Sequence, residues 1–184
     1  MTEIDRYVGF IRAVNLGSRN TVRNEDLRSI FLQAGASSAE TFINSGNVIF
    51  ETRKATSMKV QTQAGDLLYR LCNIRQPIFV QNINTLQDIK DRLSAGKPTQ
   101  SNYLGIYVTF FADSTGQSKR QELPLVSPRK DIEVFDIAET FALSRRFQVE
   151  SAGDANPFLE RILLTPCTTR NWNTVVRILA KFRS

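Results

Sequence analysis

Between Arg6 and Gln81 the apolar residues switch repeatedly between a two-residue and a 3.6-residue period, which restricts this stretch to strands and helices threaded in one order. Arg6 to Asn15 carries Val8 and Phe10 on one face and Tyr7, Ile11 and Ala13 on the other, so it is expected as a central strand covered on both sides. A polar stretch, Leu16-Gly17-Ser18-Arg19-Asn20, leads to a helix with Asn24 as N-cap and Glu25 and Asp26 in its first turn, where the helix dipole favours acids. Leu27, Ile30, Phe31 and Ala34 form its apolar stripe, and Gly35 closes it. Thr41-Phe42-Ile43 and Val48-Ile49-Phe50 read as short strands joined by the bend Asn44-Ser45-Gly46-Asn47. A helix from roughly Thr56 to Leu71 shares one face among Val60, Ala64, Leu67, Leu68 and Leu71, and a strand from Pro77 to Gln81 follows. The order β-α-β-β-α-β predicts a ferredoxin-like α+β half, residues 1–95, with both helices on one side of a sheet. Its last helix is capped by Asn84 or Thr85 and turns Leu86, Ile89 and Leu93 inward.

A polar tract at 96–102 reads as a linker to a second α+β half, residues 103–184. Tyr103 to Phe111 alternates Leu104, Ile106, Val108 and Phe110, the mark of a strand with one buried face. Gly116 to Leu125 is polar and holds a short helix or loop. Asp131 to Ile137 and Phe141 to Val149 pattern as a hairpin. A helix starts at Asn156-Pro157, with proline in its first position and Phe158, Leu159, Ile162 and Leu163 on its apolar face. Thr165 to Thr169 then reads as a connection to a last helix with Trp172, Val175, Val176 and Leu179 at i, i+3, i+4, i+7.

Hydrophobic residues make up 41% of the 184, enough to bury a core without a disulfide or metal. The two cysteines, Cys72 and Cys167, stand in no metal or redox spacing and read as free thiols of a reducing cytosol. The opening Met1 to Arg6 is charged where a signal peptide is apolar, and no apolar run is long enough to cross a membrane, so a cytoplasmic location is expected. The chain has no histidine, which excludes a Ser-His-Asp triad, a His-ligated zinc site and an imidazole proton shuttle. Asp131 and Glu133 share one side of a strand but form no convincing catalytic pair, and no calcium-loop spacing occurs; no metal site is expected.

Three segments, Phe10 to Val22, Thr41 to Phe50 and Thr168 to Ala180, resemble in order and spacing the bacterial domain-of-unknown-function family 1697. The chain has Ala13 and Ser18 where that family's opening usually carries glycine, and Arg19 where it carries lysine. It has Ala152-Gly153 where a Ser-Lys pair commonly precedes the penultimate helix. The resemblance implies an α+β fold and no established activity, substrate or cofactor.

The same segments hold Arg12, Asn15, Arg19, Asn20, Asn44, Ser45, Asn47, Arg170, Asn171 and Asn173. Asparagine offers two donors and an acceptor, so it serves a loop or a ligand equally well. One reading is local: turns at Asn15 and Asn44 to Asn47, and a helix cap at Thr169 or Asn171. The other is a cleft for a small anionic or phosphate-bearing ligand, gripped by helix N-termini and arginines. The net charge of +6, with Arg170, Arg177 and Lys181 on one helix face, keeps open a nucleic-acid or protein interaction module without catalysis, though no basic run or stacking aromatic set favours nucleic acid. A third reading makes the segments structural and puts function on an oligomer surface.

Overall fold

The computed structural model describes residues 4–14, 20–43, 46–95, 103–112, 114–148 and 155–182; the expected linker at 96–102 lies outside them. The protein is α+β, and its chain divides into two compact units, Met1–Ile89 and Lys90–Ser184.

The first unit holds β1 (Ile4–Ile11), α1 (Asn24–Gln33), β2 (Ser38–Thr41), β3 (Asn47–Arg53), α2 (Ser57–Cys72) and β4 (Ile78–Asn82), and the division falls within α3 (Ile83–Ala95). Its strands form one antiparallel sheet in the order β2-β3-β1-β4. Leu27, Ile30 and Phe31 of α1 and Val60, Ala64 and Leu68 of α2 share one core with Tyr7, Ile11 and Phe50. Val8 and Phe10, on the opposite face of β1, are also fully buried, as a central strand requires.

Several boundaries differ from expectation, each for a local reason. β1 ends at Ile11, four residues before Asn15. The N-cap of α1 is Arg23, which offers no side-chain cap; its guanidinium instead pairs with Asp26 at 2.9 Å. α1 does close at Gly35 (φ 100°), whose N–H donates to Leu32 O while Ala36 N–H donates to Phe31 O. β2 begins earlier and stops at Thr41, because Ile43 turns into the left-handed region (φ 57°). Leu71 is exposed and Cys72 takes the inward position, since spacing by fours from Val60, Ala64 and Leu68 lands on residue 72. The helix at 83 is capped neither by Asn84 nor by Thr85: Asn82 Oδ1 accepts from Asn84 N–H at 2.8 Å.

The second unit contains β5 (Tyr103–Phe111), β6 (Leu125–Val126), β7 (Ile132–Ile137), β8 (Phe141–Phe147), α4 (Ala155–Leu163), β9 (Cys167–Asn171) and α5 (Trp172–Lys181), with a 3₁₀ stretch at Ser114–Glu122. The sheet order is β6-β7-β8-β5-β9, all antiparallel. Phe158, Leu159 and Leu163 of α4 pack with Phe111, Ile132, Val134, Ala142 and Cys167 over one face.

Here the main correction is β9. The stretch read as a connection is a strand, and its partner β5 is therefore central: Thr109 and Phe111 are buried as well as Val108 and Phe110, while Leu104 is exposed near a register shift. Pro157 is the third residue of α4, not the first. In α5, Ile178 is buried and Val176 exposed, the reverse of a strict i+4 stripe from Trp172.

Candidate ligand site

The first two of the three segments meet at one end of the first sheet. β1 ends as Ile11 N–H donates to Gly46 O at 2.8 Å, and Arg12 N–H donates to Pro77 O at 3.1 Å. Gly46 takes φ 68°, and a Cβ there would stand 3.0 Å from Ile11 O and 3.3 Å from Val14 Cβ, so Gly46 approaches the end of β1 this closely only because it is glycine. Asn20 Nδ2 donates to Ala13 O at 3.2 Å, a bond between residues seven apart in the chain. Asn47 is fully buried; its Nδ2 donates to Phe42 O at 3.1 Å while Phe42 N–H donates to Asn47 O at 2.9 Å.

Among their described residues, these two loops hold three non-glycine residues with positive φ: Ala13 (47°), Asn20 (52°) and Ile43 (57°). The conformation is tolerable for asparagine but strained for a β-branched isoleucine. At Ala13 the left-handed backbone is one that glycine would adopt without strain. Asn15, Arg19, Asn44 and Ser45 lie outside the described residues.

The third segment belongs to the second unit. Asn171 is the N-cap of α5, its Oδ1 accepting from Asn173 N–H at 2.8 Å. Arg170 and Thr168 pair in register with Val108 and Phe110, which puts all four on one face of the sheet; Val108, Phe110 and Thr168 are buried. Arg170 Nη1 donates to Thr168 Oγ1 at 2.8 Å and to Thr169 O at 3.0 Å. Withdrawal from water pulls the Arg170 guanidinium down to about 10, so burial outweighs whatever its neighbours do for the charge. Thr169, on the other face, is bonded to Thr109 and to Asn156 of α4. Thr168 is the residue that sequence reasoning passed over, and Thr169, read as a possible helix cap, is a strand residue instead, the cap being Asn171; a β-branched pair before an arginine was the available signal.

Of the other candidates, Glu133 is engaged by Arg145 at 3.1 Å, and Asp131 is buried in a turn ahead of β7. Arg177 and Lys181 are exposed on α5, and both interact with other groups. Among the described residues no cluster of three or more histidine, cysteine or acidic side chains could hold a metal, and no helix is long and apolar enough to cross a membrane.

Comparison with known proteins follows the same lines. A family model described as a protein of unknown function (DUF1697) matches residues 4–142, roughly three-quarters of the chain. Among solved structures, the conserved bacterial protein SP0830 from Streptococcus pneumoniae is similar in fold, with a TM-score of 0.68 at 19% identity, covering 97% of this chain and 98% of that one. No curated protein compared with the chain matches it in sequence.

Proposed function

Because the chain belongs to DUF1697, a family whose description assigns no reaction, we propose its function from the site itself: it binds a small anionic or phosphate-bearing ligand. The observation that carries this reading is the desolvated Arg170 guanidinium, held in place by Thr168 Oγ1 and Thr169 O. A half-buried guanidinium already fixed by hydrogen bonds to Thr168 and Thr169 is pre-organised for an anion, because binding then needs little further side-chain ordering. Asn171 and Asn173 follow it in the chain at the start of α5, where backbone N–H groups favour negative charge. The half at 103–184 is the proposed carrier of this grip. Arg12, Asn20 and Asn47, together with Asn15, Arg19, Asn44 and Ser45, are proposed ligand contacts to be tested by separate substitution.

The test is a thermal-shift and calorimetric titration with inorganic phosphate, nucleoside phosphates and small dicarboxylates, run on the wild type and on Arg170→Gln. A ligand at about a hundred times its Kd stabilises by about 2.7 kcal/mol, a shift easily read. Arg170→Gln is expected to weaken the binder about tenfold or more, the scale of one charge-assisted hydrogen bond. A panel that moves nothing, or a variant that binds as well as the wild type, would sink the proposal. Retention on RNA that falls steeply with salt would point instead to phosphate contacts of an interaction module.

A further inference from the structure

The second unit has a separate cleft that the site around Arg170 does not use. It has a volume of about 480 Å³ and lies between the turn that precedes β7 and the first turns of α4. The turn is held firmly: Ser127 N–H donates to Ile132 O and Lys130 N–H to Ser127 O, both at 2.8 Å, with Lys130 at φ 58°. Ser127 Oγ donates to Asp131 Oδ1 at 2.6 Å and accepts from Ile132 N–H at 3.1 Å. Pro128 of the turn and Pro157 of α4 also line the cleft, and these rings lose little freedom on binding.

The exposed rings of Pro128 and Pro157 and the edge of Phe158 supply an apolar lining, with Ile132 buried behind them. Arg129 and Arg161, both exposed, supply the charge. Arg161 makes no hydrogen bond or ion pair with any described residue. The one acid among the described lining residues, Asp131, is 1% exposed and turned into Ser127, so it presents almost no carboxylate surface to a guest. A cleft of this size, apolar within and cationic at the edge, matches a ligand with an apolar body and one negative end.

We infer that the cleft between the Ser127–Asp131 turn and α4 binds a small monocarboxylate with an apolar or aromatic body, its ring or chain on Pro128, Pro157 and the edge of Phe158 and its carboxylate toward Arg161 and Arg129. This is independent of the ligand assigned to Arg170.

The experiment is an amide-resolved NMR titration with benzoate, and with benzyl alcohol as the neutral counterpart of the same shape. Benzoate is expected to move the amides of Arg129, Lys130, Ile132, Phe158 and Arg161 saturably, with a Kd on the order of 1 mM. Benzyl alcohol should bind at least about fivefold more weakly, and Arg161→Glu should cost benzoate a similar factor, since charge reversal replaces attraction by repulsion. Arg170→Gln should leave the titration unchanged. The inference is overturned if none of those amides moves by about ten times that Kd. It is equally overturned if the alcohol binds as well as the acid, if Arg161→Glu and Arg129→Glu both bind like the wild type, or if Arg170→Gln abolishes the response.

Discussion

Thr109 donates its hydroxyl to Thr169 across the β5–β9 pair at 2.8 Å, because the one Thr169 proton is committed to Asn156 Oδ1 at 2.7 Å. The relay ties the edge strand β9 to the central strand on one side and to α4 on the other. Thr169→Val keeps the shape, removes the donor to Asn156 and leaves the buried Thr109 hydroxyl without its acceptor. The expected cost is about 1–3 kcal/mol. It should appear in guanidinium denaturation as a lower midpoint with an unchanged slope. A midpoint equal to the wild type would mean that β9 is held by its ladder alone.

Two glycines are expected to respond to alanine in opposite directions. Gly46 sits at φ 68° with Ile11 O only 3.0 Å from where a Cβ would stand, so Gly46→Ala adds left-handed strain and a clash with backbone. A loss of about 2 kcal/mol or more is expected. Gly65 lies inside α2 in ordinary helical backbone, and a Cβ there would meet nothing within 4 Å. Gly65→Ala should therefore stabilise by about 0.5–1 kcal/mol through the lower entropy of the unfolded chain. Thermal unfolding of both variants beside the wild type checks the pair; a neutral Gly46→Ala would show that Gly46 does not press on Ile11 as described.

The element order was legible because most elements carry their own hydrophobic period, as in the Leu27, Ile30, Phe31 stripe of α1 and the Val60, Ala64, Leu68 row of α2. β9 was not legible: Thr-Thr-Arg-Asn has no apolar alternation, and its strand character comes from pairing with β5 and from the hydroxyl relay to α4. Leu71 and Val176 were placed inside by counting turns. The exposed outcome reflects how narrow the buried stripe is, for Cys72 and Ile178 fill the positions that face the cores. For the candidate residues, the sequence signalled their clustering in three segments but not their work in the fold. Asn20, Asn47 and Asn171 each make a backbone hydrogen bond that a turn or a cap needs, and only coordinates reveal which carbonyl or amide is served. The burial of Arg170 could not be foreseen at all while β9 was read as a connection.

Neither cysteine should behave as a reactive thiol. Cys167 is buried, and its Sγ lies 3.7 Å from Asn156 O as a donor. Cys72 is half-buried, and its thiol is pushed up, first by burial and then by the charge of Asp26. The thiolate is the nucleophile, so at pH 7.5 both should label with a disulfide reagent more slowly than a free thiol such as glutathione, Cys167 the more slowly of the two. Mass spectrometry of time-quenched samples reads the order directly. Rapid modification of Cys167 would mean that β9 and α4 separate readily.

The stability of Arg170 should run against its proposed use. Its folded value of about 10 lies below the ordinary arginine value, so between the two the unfolded chain binds more protons than the folded one. The contribution of this group to stability therefore rises with pH through that window. It is fully favourable only above the unfolded value and is lost as pH falls through about 10, leaving a charged, desolvated guanidinium as a cost at neutral pH. Arg170→Met, of similar length and without charge, is expected to be at least as stable as the wild type at pH 7 despite losing the bonds to Thr168 and Thr169. The difference in unfolding free energy between variant and wild type should shrink as pH rises through about 10, a comparison that cancels the titration of the other lysines and tyrosines. The same variant should lose the anion response of the wild type. A variant that is clearly less stable at pH 7 would mean that the guanidinium is held by attractions stronger than its desolvation, and that it serves the fold before any ligand.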